Sequence, residues 1–408
     1  MNYTVFIARR LTSKTAGGFS PVIVKIATIS VAMGVAVMLI SLAVLFGFKR
    51  EIREKISGFS GHIQVTAFSQ NQSLEPSPIS VKQSFVPWPS QLGKVKSVEQ
   101  YATKAGIIRT DEVIQGAVLK GVGPDSKQAY IKQHLVEGKL FVAGRDSAND
   151  SVVISLSLSR LLKLKNGDAL RMYFVGGNES VPRGRKFIIG GIYQTGLEEF
   201  DKLMVIGDIR QIRKLNGWEE DETGGYEIYL SDFDDMDKVA RGLYNYSGID
   251  LNVTTVKERY PQLFDWLDVQ DVNVLVILIM MTLVSVIAMI SVLLVLILEH
   301  TRTIGVLRAM GARKSEIRRI FLMQSLKISL RGLLWGNLVG MILIGIQYQW
   351  RLIGLPQESY YVSYVPVWID IITWVVLNGA TLLICTLFMV IPSYFASRIR
   401  PVEAIRFS

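Results

Sequence analysis

The 408-residue chain is half apolar, carries 45 basic against 35 acidic side chains for a net charge of +10, and has one cysteine and three histidines. This composition excludes disorder and a collagen-like fibre, and the concentration of apolar residues in a few long runs argues against a purely soluble protein. A single cysteine forms no internal disulfide, and His62, His134 and His300 lie too far apart for a metal-ligand spacing, so no metal site is expected.

Four runs reach the roughly 20 apolar residues that a helix needs to cross a bilayer. The first, 22–48, carries only Lys25, near its start; the second, 272–298, has no charge. The third, 332–350, is glycine-rich, flanked by Arg331 and Arg351, and extended at its front by a helical run from Ile317. The fourth, 371–391, contains Cys385 and is entered through Trp368 and Trp374, whose indoles suit the membrane interface. Arg9, Arg10 and Lys14 precede the first run, but its apolar core is too long for a signal peptide and no small-x-small cleavage site follows, so it reads as an uncleaved anchor.

Charge sets the orientation. Residues 49–270 carry 29 basic and 29 acidic side chains, so the net charge lies elsewhere. It sits in Arg9, Arg10 and Lys14, in Arg302, Arg308, Arg313, Lys314, Arg318 and Arg319, and in Arg398, Arg400 and Arg406. By the positive-inside rule both termini and the 299–331 loop are cytoplasmic, while 49–270 and 351–367 lie outside. The expected fold is an α-helical membrane protein with four transmembrane helices and a large mixed α+β extracytoplasmic domain inserted between the first and the second. Its parts are a tail and first span at 1–48, the outer domain at 49–270, spans at 271–298, 332–350 and 368–391, and a tail at 392–408. Topology accounts for the basic excess, and nucleic acid is not an expected partner.

Within 49–270, residues 62–68 alternate like a strand and a Ser, Gln and Pro-rich loop follows to 90. Another alternating stretch at 226–230, N-cap candidates at 232–237 and a strand at 253–256 suggest that the two ends of this segment join one subdomain. The part between, about 116–224, reads as an insertion of more purely β character. It offers a strand at 151–154, a short helix at 155–164, a turn at Asn166-Gly167-Asp168, and strands at 169–174 and 187–192. The connection 176–186 exceeds the two to five residues a hairpin needs and ends in Arg183, Arg185 and Lys186, so it is either a contact loop or a solvated tip.

No Gly-x-x-x-x-Gly-Lys-Ser/Thr occurs, so the chain has no P-loop of its own. Residues 58–62 lack the second glycine of a nucleophile elbow, and Glu198, Glu199 and Asp201 form a carboxylate cluster in a turn-like stretch. The spans hold almost none of the ionisable groups an intramembrane enzyme would place there. No catalytic residue is therefore expected. The informative segment follows the second span: Ile304, Leu307 and Met310 recur at near-helical spacing with Arg302 and Arg308 beside them. Gly311-Ala312 then stops the helix before a second one capped at Ser315. Such a helix either docks in a partner's groove or lies on anionic lipid.

The run Thr303-Ile304-Gly305-Val306-Leu307-Arg308-Ala309-Met310-Gly311-Ala312, opened by Glu299, resembles the coupling helix of the MacB-like ABC permeases. Four further segments are similar to the lipoprotein-releasing LolC/LolE branch of that superfamily: Phe6 to Leu11, Gly191 to Asp201, Leu355-Pro356 with Tyr360-Tyr361-Val362, and Pro401 to Arg406. The resemblance implies a permease subunit in the bacterial inner membrane that passes triacylated lipoproteins to a LolA-like periplasmic carrier. Its partners would be two LolD-like ATPase subunits and a second, identical or paralogous permease, with membrane lipid around it. The chain itself would hold no cofactor, ATP and magnesium being bound by the ATPase partner. Glu299, Arg302, Thr303, Ile304, Gly305, Leu307, Arg308, Met310, Gly311 and Ala312 would couple to the ATPase. Asn178, Pro182, Arg183, Arg185 and Lys186 would form a carrier-binding loop. At roughly 0.8 kcal/mol per methylene, exposing three acyl chains to water would cost on the order of 30 kcal/mol, so an apolar route is required. Its expected lining is Met38, Leu42 and Phe46 on the first span with Val276, Met280 and Leu283 on the second, unless these merely face lipid. The alternatives are an efflux permease or an FtsX-like regulator of cell-wall hydrolases from the same superfamily, a membrane scaffold with no ATPase, and an enzyme acting on lipid or cell wall.

Overall fold

The computed structural model describes residues 20–69, 75–124, 126–143, 148–174 and 182–396. The chain divides into two compact units, one of 1–49, 266–354 and 365–408, the other of Arg50–Asp265 with Leu355–Tyr364.

Four helices are long and apolar enough to cross a membrane: Val22–Ser60, Pro261–Glu299, Lys314–Trp350 and Ile371–Tyr394. The first three have 39, 39 and 37 residues, which at 1.5 Å per residue is roughly twice the 30 Å hydrocarbon core. The apolar runs read from the sequence are thus segments of longer helices. Pro261 opens the second helix at the first helical position, where a missing N–H costs nothing. The fourth is a helix over Ile371–Phe388 followed by a short one over Val390–Ala396. It starts after Trp368 because the Asp370 carboxylate accepts the Thr373 N–H at 2.9 Å as an N-cap.

Small residues set the helix packing. Gly332, Gly336 and Gly340 recur every fourth residue on the third helix and meet Val31, the Ala32–Val35 turn and the Ala36–Leu39 turn of the first. A Cβ on Gly336 would lie 2.6 Å from the Ala32 carbonyl oxygen, so this approach needs glycine. Val24, Ala27 and Val31 of the first helix share one apolar cluster with Leu293, Leu296 and Phe321. Polar side chains tie the third helix to the fourth: the Asn337 amide donates to Asn378 at 2.5 Å, and Asn337 Oδ1 accepts from the Trp374 indole at 2.7 Å.

Among the described residues, the strands of the second unit are β1 (Ile63–Ala67), β2 (Ile79–Ser80), β3 (Val95–Arg109), β4 (Ile114–Val122), β5 (Leu135–Gly138) and β6 (Ser151–Ser155). They continue with β7 (Ala169–Phe174), β8 (Arg183–Tyr193), β9 (Met204–Asp208), β10 (Glu222–Thr223), β11 (Gly225–Leu230) and β12 (Leu251–Thr255). The pairings β3–β4, β4–β9, β9–β6, β6–β8, β8–β7 and β7–β3 close on themselves as a six-stranded barrel. The first half of β3 also pairs with β11, which continues through β1 to β12. β3 therefore belongs to both parts, and the barrel takes in its second half as well as the stretch that follows.

Alternation fills the barrel: Leu170, Met172 and Phe174 of β7 and Phe187 and Ile189 of β8 are all buried in one core with Leu119, Val152 and Ile154. The Phe174 ring lies on Gly106, where a Cβ would come within 2.8 Å of it. The middle carries the helix expected near 155–164, at Leu156–Leu162, and is less purely β than expected, with further helices at Ala129–Gln133, Glu198–Asp201 and Ile209–Asn216. Two of these start directly at strand ends because Ser155 and Asp208 accept the N–H groups of Leu158 and Arg210.

Candidate functional site

The segment after the second span is a helix over Thr301–Ala309, set off from the preceding helix at His300. It ends at Gly311, whose φ of +97° only glycine adopts freely, with the Ala312 N–H bonded back to the Leu307 carbonyl at 3.0 Å. The next helix begins at Lys314 with Arg313 in the N-cap position, and Glu316 reaches back from the first turn to accept the Arg313 N–H at 2.7 Å. Ser315, expected as the cap, lies inside the first turn instead. Ile304 is 3 % exposed and packs with Leu307 and Ala312 into the core of the helical unit, and Gly305 is buried beside it. The outward face is Arg302, Thr303, Val306, Met310 (80 % exposed) and Gly311, with Arg308 half-buried and Glu299 exposed at the end of the preceding helix. Near-helical spacing identified an apolar stripe but not its direction: most of the stripe anchors the helix on its own chain.

A groove of about 790 Å³ runs along the first, second and fourth helices. Met38, Leu42 and Leu283 line it, together with Leu377, Ile384 and Phe388 of the fourth helix. Its polar groups are satisfied internally. Thr381 Oγ1 donates to the Leu377 carbonyl at 2.8 Å, Thr373 Oγ1 to the Asp370 carboxylate at 2.8 Å, and Thr282 Oγ1 contacts the Met38 sulfur at 3.5 Å. The surface offered is accordingly hydrocarbon. Phe46 does not join it, lying in a separate small cavity under Trp368 and Trp374. Val276 and Met280 of the second helix, 49 % and 57 % exposed, do not line it. At about 100° per residue Val276 and Met280 sit two turns before Leu283 and Ile287 on nearly the same side, but the lining on the second helix begins at Leu278 and passes over Met280 through Ile279, Thr282, Leu283, Val286, Ile287 and Ile290. The fourth span is expected from the sequence but its share of the lining is not, although Leu377, Thr381, Ile384 and Phe388 recur at helical spacing.

The cations at the end of the long connection are not in a loop. Arg183, Arg185 and Lys186 belong to β8, paired with Phe174, Met172 and Arg171 of β7, and all three are exposed. Pro182 immediately precedes the strand, and Asn178 lies outside the described residues. The strand starts earlier than the alternation suggested because Arg183 to Lys186 continue the ladder of β7, whose pairing is indifferent to polar side chains on an exposed face.

The carboxylate cluster is committed to structure. Asp201, 2 % exposed, accepts from the Thr195 hydroxyl at 2.8 Å and the Gly196 N–H at 3.0 Å, closing the turn before the Glu198–Asp201 helix. Burial pushes its carboxyl up from the ordinary range, opposed by those hydrogen bonds and by the Lys55 charge. Glu199 accepts the Tyr361 hydroxyl at 3.3 Å, and Glu198 pairs with Lys202. Lys55 donates to the Tyr361 carbonyl at 2.9 Å, so Leu355–Tyr364 is held on this turn within the second unit.

Two family descriptions match the chain: the MacB-like periplasmic core domain over residues 26–245 and the FtsX-like permease C-terminal domain over residues 275–401. The lipoprotein-releasing system transmembrane protein LolC of Xylella fastidiosa (strain 9a5c) is 22 % identical over 419 residues, covering 98 % of this chain and 97 % of that one. The corresponding LolE protein of Haemophilus influenzae is 21 % identical over 435 residues, covering 99 % of each. The crystal structure of the periplasmic region of MacB from Actinobacillus actinomycetemcomitans aligns at 14 % identity with a TM-score of 0.34, over 52 % of this chain and 97 % of that one. The family matches define a membrane permease of the MacB and FtsX class. With relatives along nearly its whole length, the chain belongs to the LolC/LolE type of the MacB-like permease family.

Proposed function

We propose that the chain is the permease subunit of an ATP-driven transporter that lifts outer-membrane-directed lipoproteins out of the bacterial inner membrane and passes them to a periplasmic carrier. The observation that carries this reading is the near-full-length likeness to relatives named for lipoprotein release. The topology that fits has both termini and 299–331 in the cytoplasm, with 49–270 and 351–367 outside, the former made of two subdomains.

ATP hydrolysis belongs to two cytoplasmic ATPase subunits that bind ATP and magnesium, and this chain supplies the helix they grip. Four helices are too few to surround three acyl chains, so a second permease copy or paralogue completes the route. The apolar groove at Met38, Leu42 and Leu283 supports an acyl path along the first two helices, and the outward Val276 and Met280 suit the face toward the second permease. Nucleotide-dependent docking at Arg302, Thr303, Val306 and Met310 would shift the second and third helices, because the Thr301–Ala309 helix lies between them in the chain. The exposed cations Arg183, Arg185 and Lys186, with the connection that contains Asn178 and Pro182, are the proposed carrier contact.

Detergent extraction and pull-down tests the reading: an ATPase subunit, a second permease and bound lipoprotein should copurify. Met310→Asp should abolish ATPase copurification while leaving the thermal unfolding of the chain unchanged, because Met310 packs against little of its own chain. Retention of the ATPase by this variant would remove the helix from the coupling role.

A further inference from the structure

The second unit holds a cleft of about 550 Å³ that none of the roles above uses. Its walls are the end of the first long helix around Gly58, strands β3, β4 and β11, and residues 126–134. The floor is charged. Lys120, on β4 and buried, donates to the Glu227 carboxylate at 2.8 Å and to the Phe59 carbonyl at 2.6 Å. The same carboxylate accepts from Gln64 Nε2 at 3.1 Å and from the Tyr229 hydroxyl at 3.0 Å. Glu99, also buried, accepts the Ser97 hydroxyl at 2.9 Å and the Ser126 hydroxyl. Burying such ions costs several kcal/mol each before pairing, and apolar residues of similar volume would hold the sheet as well. The cleft is therefore a fixed array of opposite charges maintained at a stability cost.

The lining decides what fits. Four lysines and four glutamates cancel around it, which disfavours a phosphate or a polycation, since either needs one sign. Charged walls equally disfavour a hydrocarbon chain. A polypeptide segment matches: its backbone brings donors and acceptors together, and its side chains meet either sign. At the rim, Lys96 and Lys127 are exposed and have no ion pair among the described residues, so the entrance favours an acidic side chain.

We propose that this cleft receives the unfolded peptide stretch next to the acylated terminus of the transported lipoprotein. The inference rests on the lipoprotein reading above and provides the polypeptide part of the cargo with a site separate from the acyl groove. The test is photo-crosslinking in the full transporter complex purified with its cargo. A benzophenone amino acid replaces Lys127 or, separately, Gln133, both exposed positions whose replacement disturbs no core. Crosslinks to the residues directly following the acylated terminus are expected. Copurification of cargo without such crosslinks, or with crosslinks only to its folded body or to another protein, overturns the inference alone. A wild-type complex that holds no lipoprotein overturns the functional reading and this inference with it. In addition, Lys96→Glu with Lys127→Glu should slow cargo capture roughly tenfold with unstimulated ATPase unchanged, and unaltered capture counts against the site.

Discussion

In the helical unit one helix seam is built by residues with no side chain, Gly332, Gly336 and Gly340 against Val31, Ala32 and Leu39 of the first helix. In the sheet unit the core is filled by large ones, Phe174, Phe187 and Met172 inside a closed barrel. The solvent explains the difference. Hydrocarbon surrounding a span is as apolar as leucine, so burial between helices gains little and close backbone approach supplies the attraction. Water around the barrel rewards every large apolar group removed from it. The two units consequently fail in opposite ways, one by overfilling and the other by emptying.

The largest effect is expected from emptying the barrel: Phe174→Ala should cost about 3–5 kcal/mol in chemical denaturation of the detergent-solubilised chain. Overfilling the seam comes next, with Gly336→Leu losing about 3 kcal/mol, read as a lower unfolding temperature. Gly345→Leu, on the same helix with open space around it, is the control and should stay within about 0.5 kcal/mol. If both glycine variants behave alike, the contrast between the units is wrong.

A third test uses protons and a histidine of the sheet unit. Burial, with Lys96 nearby, pushes the His62 imidazole down to about 4, and its Nδ1 accepts the Leu230 N–H at 3.2 Å. Unfolded, it would titrate near 6.5, so between these values the unfolded chain binds more protons. Stability then falls as pH drops from about 6.5 toward 4, by up to about 3 kcal/mol. His62→Gln should flatten that decline in a pH series of unfolding temperatures. The smallest effect concerns a local cap: Ser155→Ala, removing the acceptor for the Leu158 N–H, should cost about 1 kcal/mol by the same measurement.

Much of the architecture was legible because it depends on local periodicity. The four apolar runs, the strand at 169–174 and the Gly311 break follow from spacing and from single residues with one conformational use. Direction was not legible. Ile304 and Leu307 were recognisable as a stripe, yet whether a stripe faces a partner or its own chain depends on what lies across from it. Likewise Met38, Leu42 and Leu283 could be proposed as a lining, but Val276 and Phe46, on nearly the same helix faces, could not be separated from them without knowing where along each helix the groove begins and ends.

By itself the amino-acid order settled which segments prefer hydrocarbon, where the charge lies and which stretches alternate, since these depend on neighbours a few bonds away. Only the folded arrangement joined the fourth helix to the groove, closed β3 to β7 as a barrel and set Lys120 against Glu227, 107 residues apart. Such pairings are decided by complementary shape and charge between distant parts of the chain, and no local pattern encodes them.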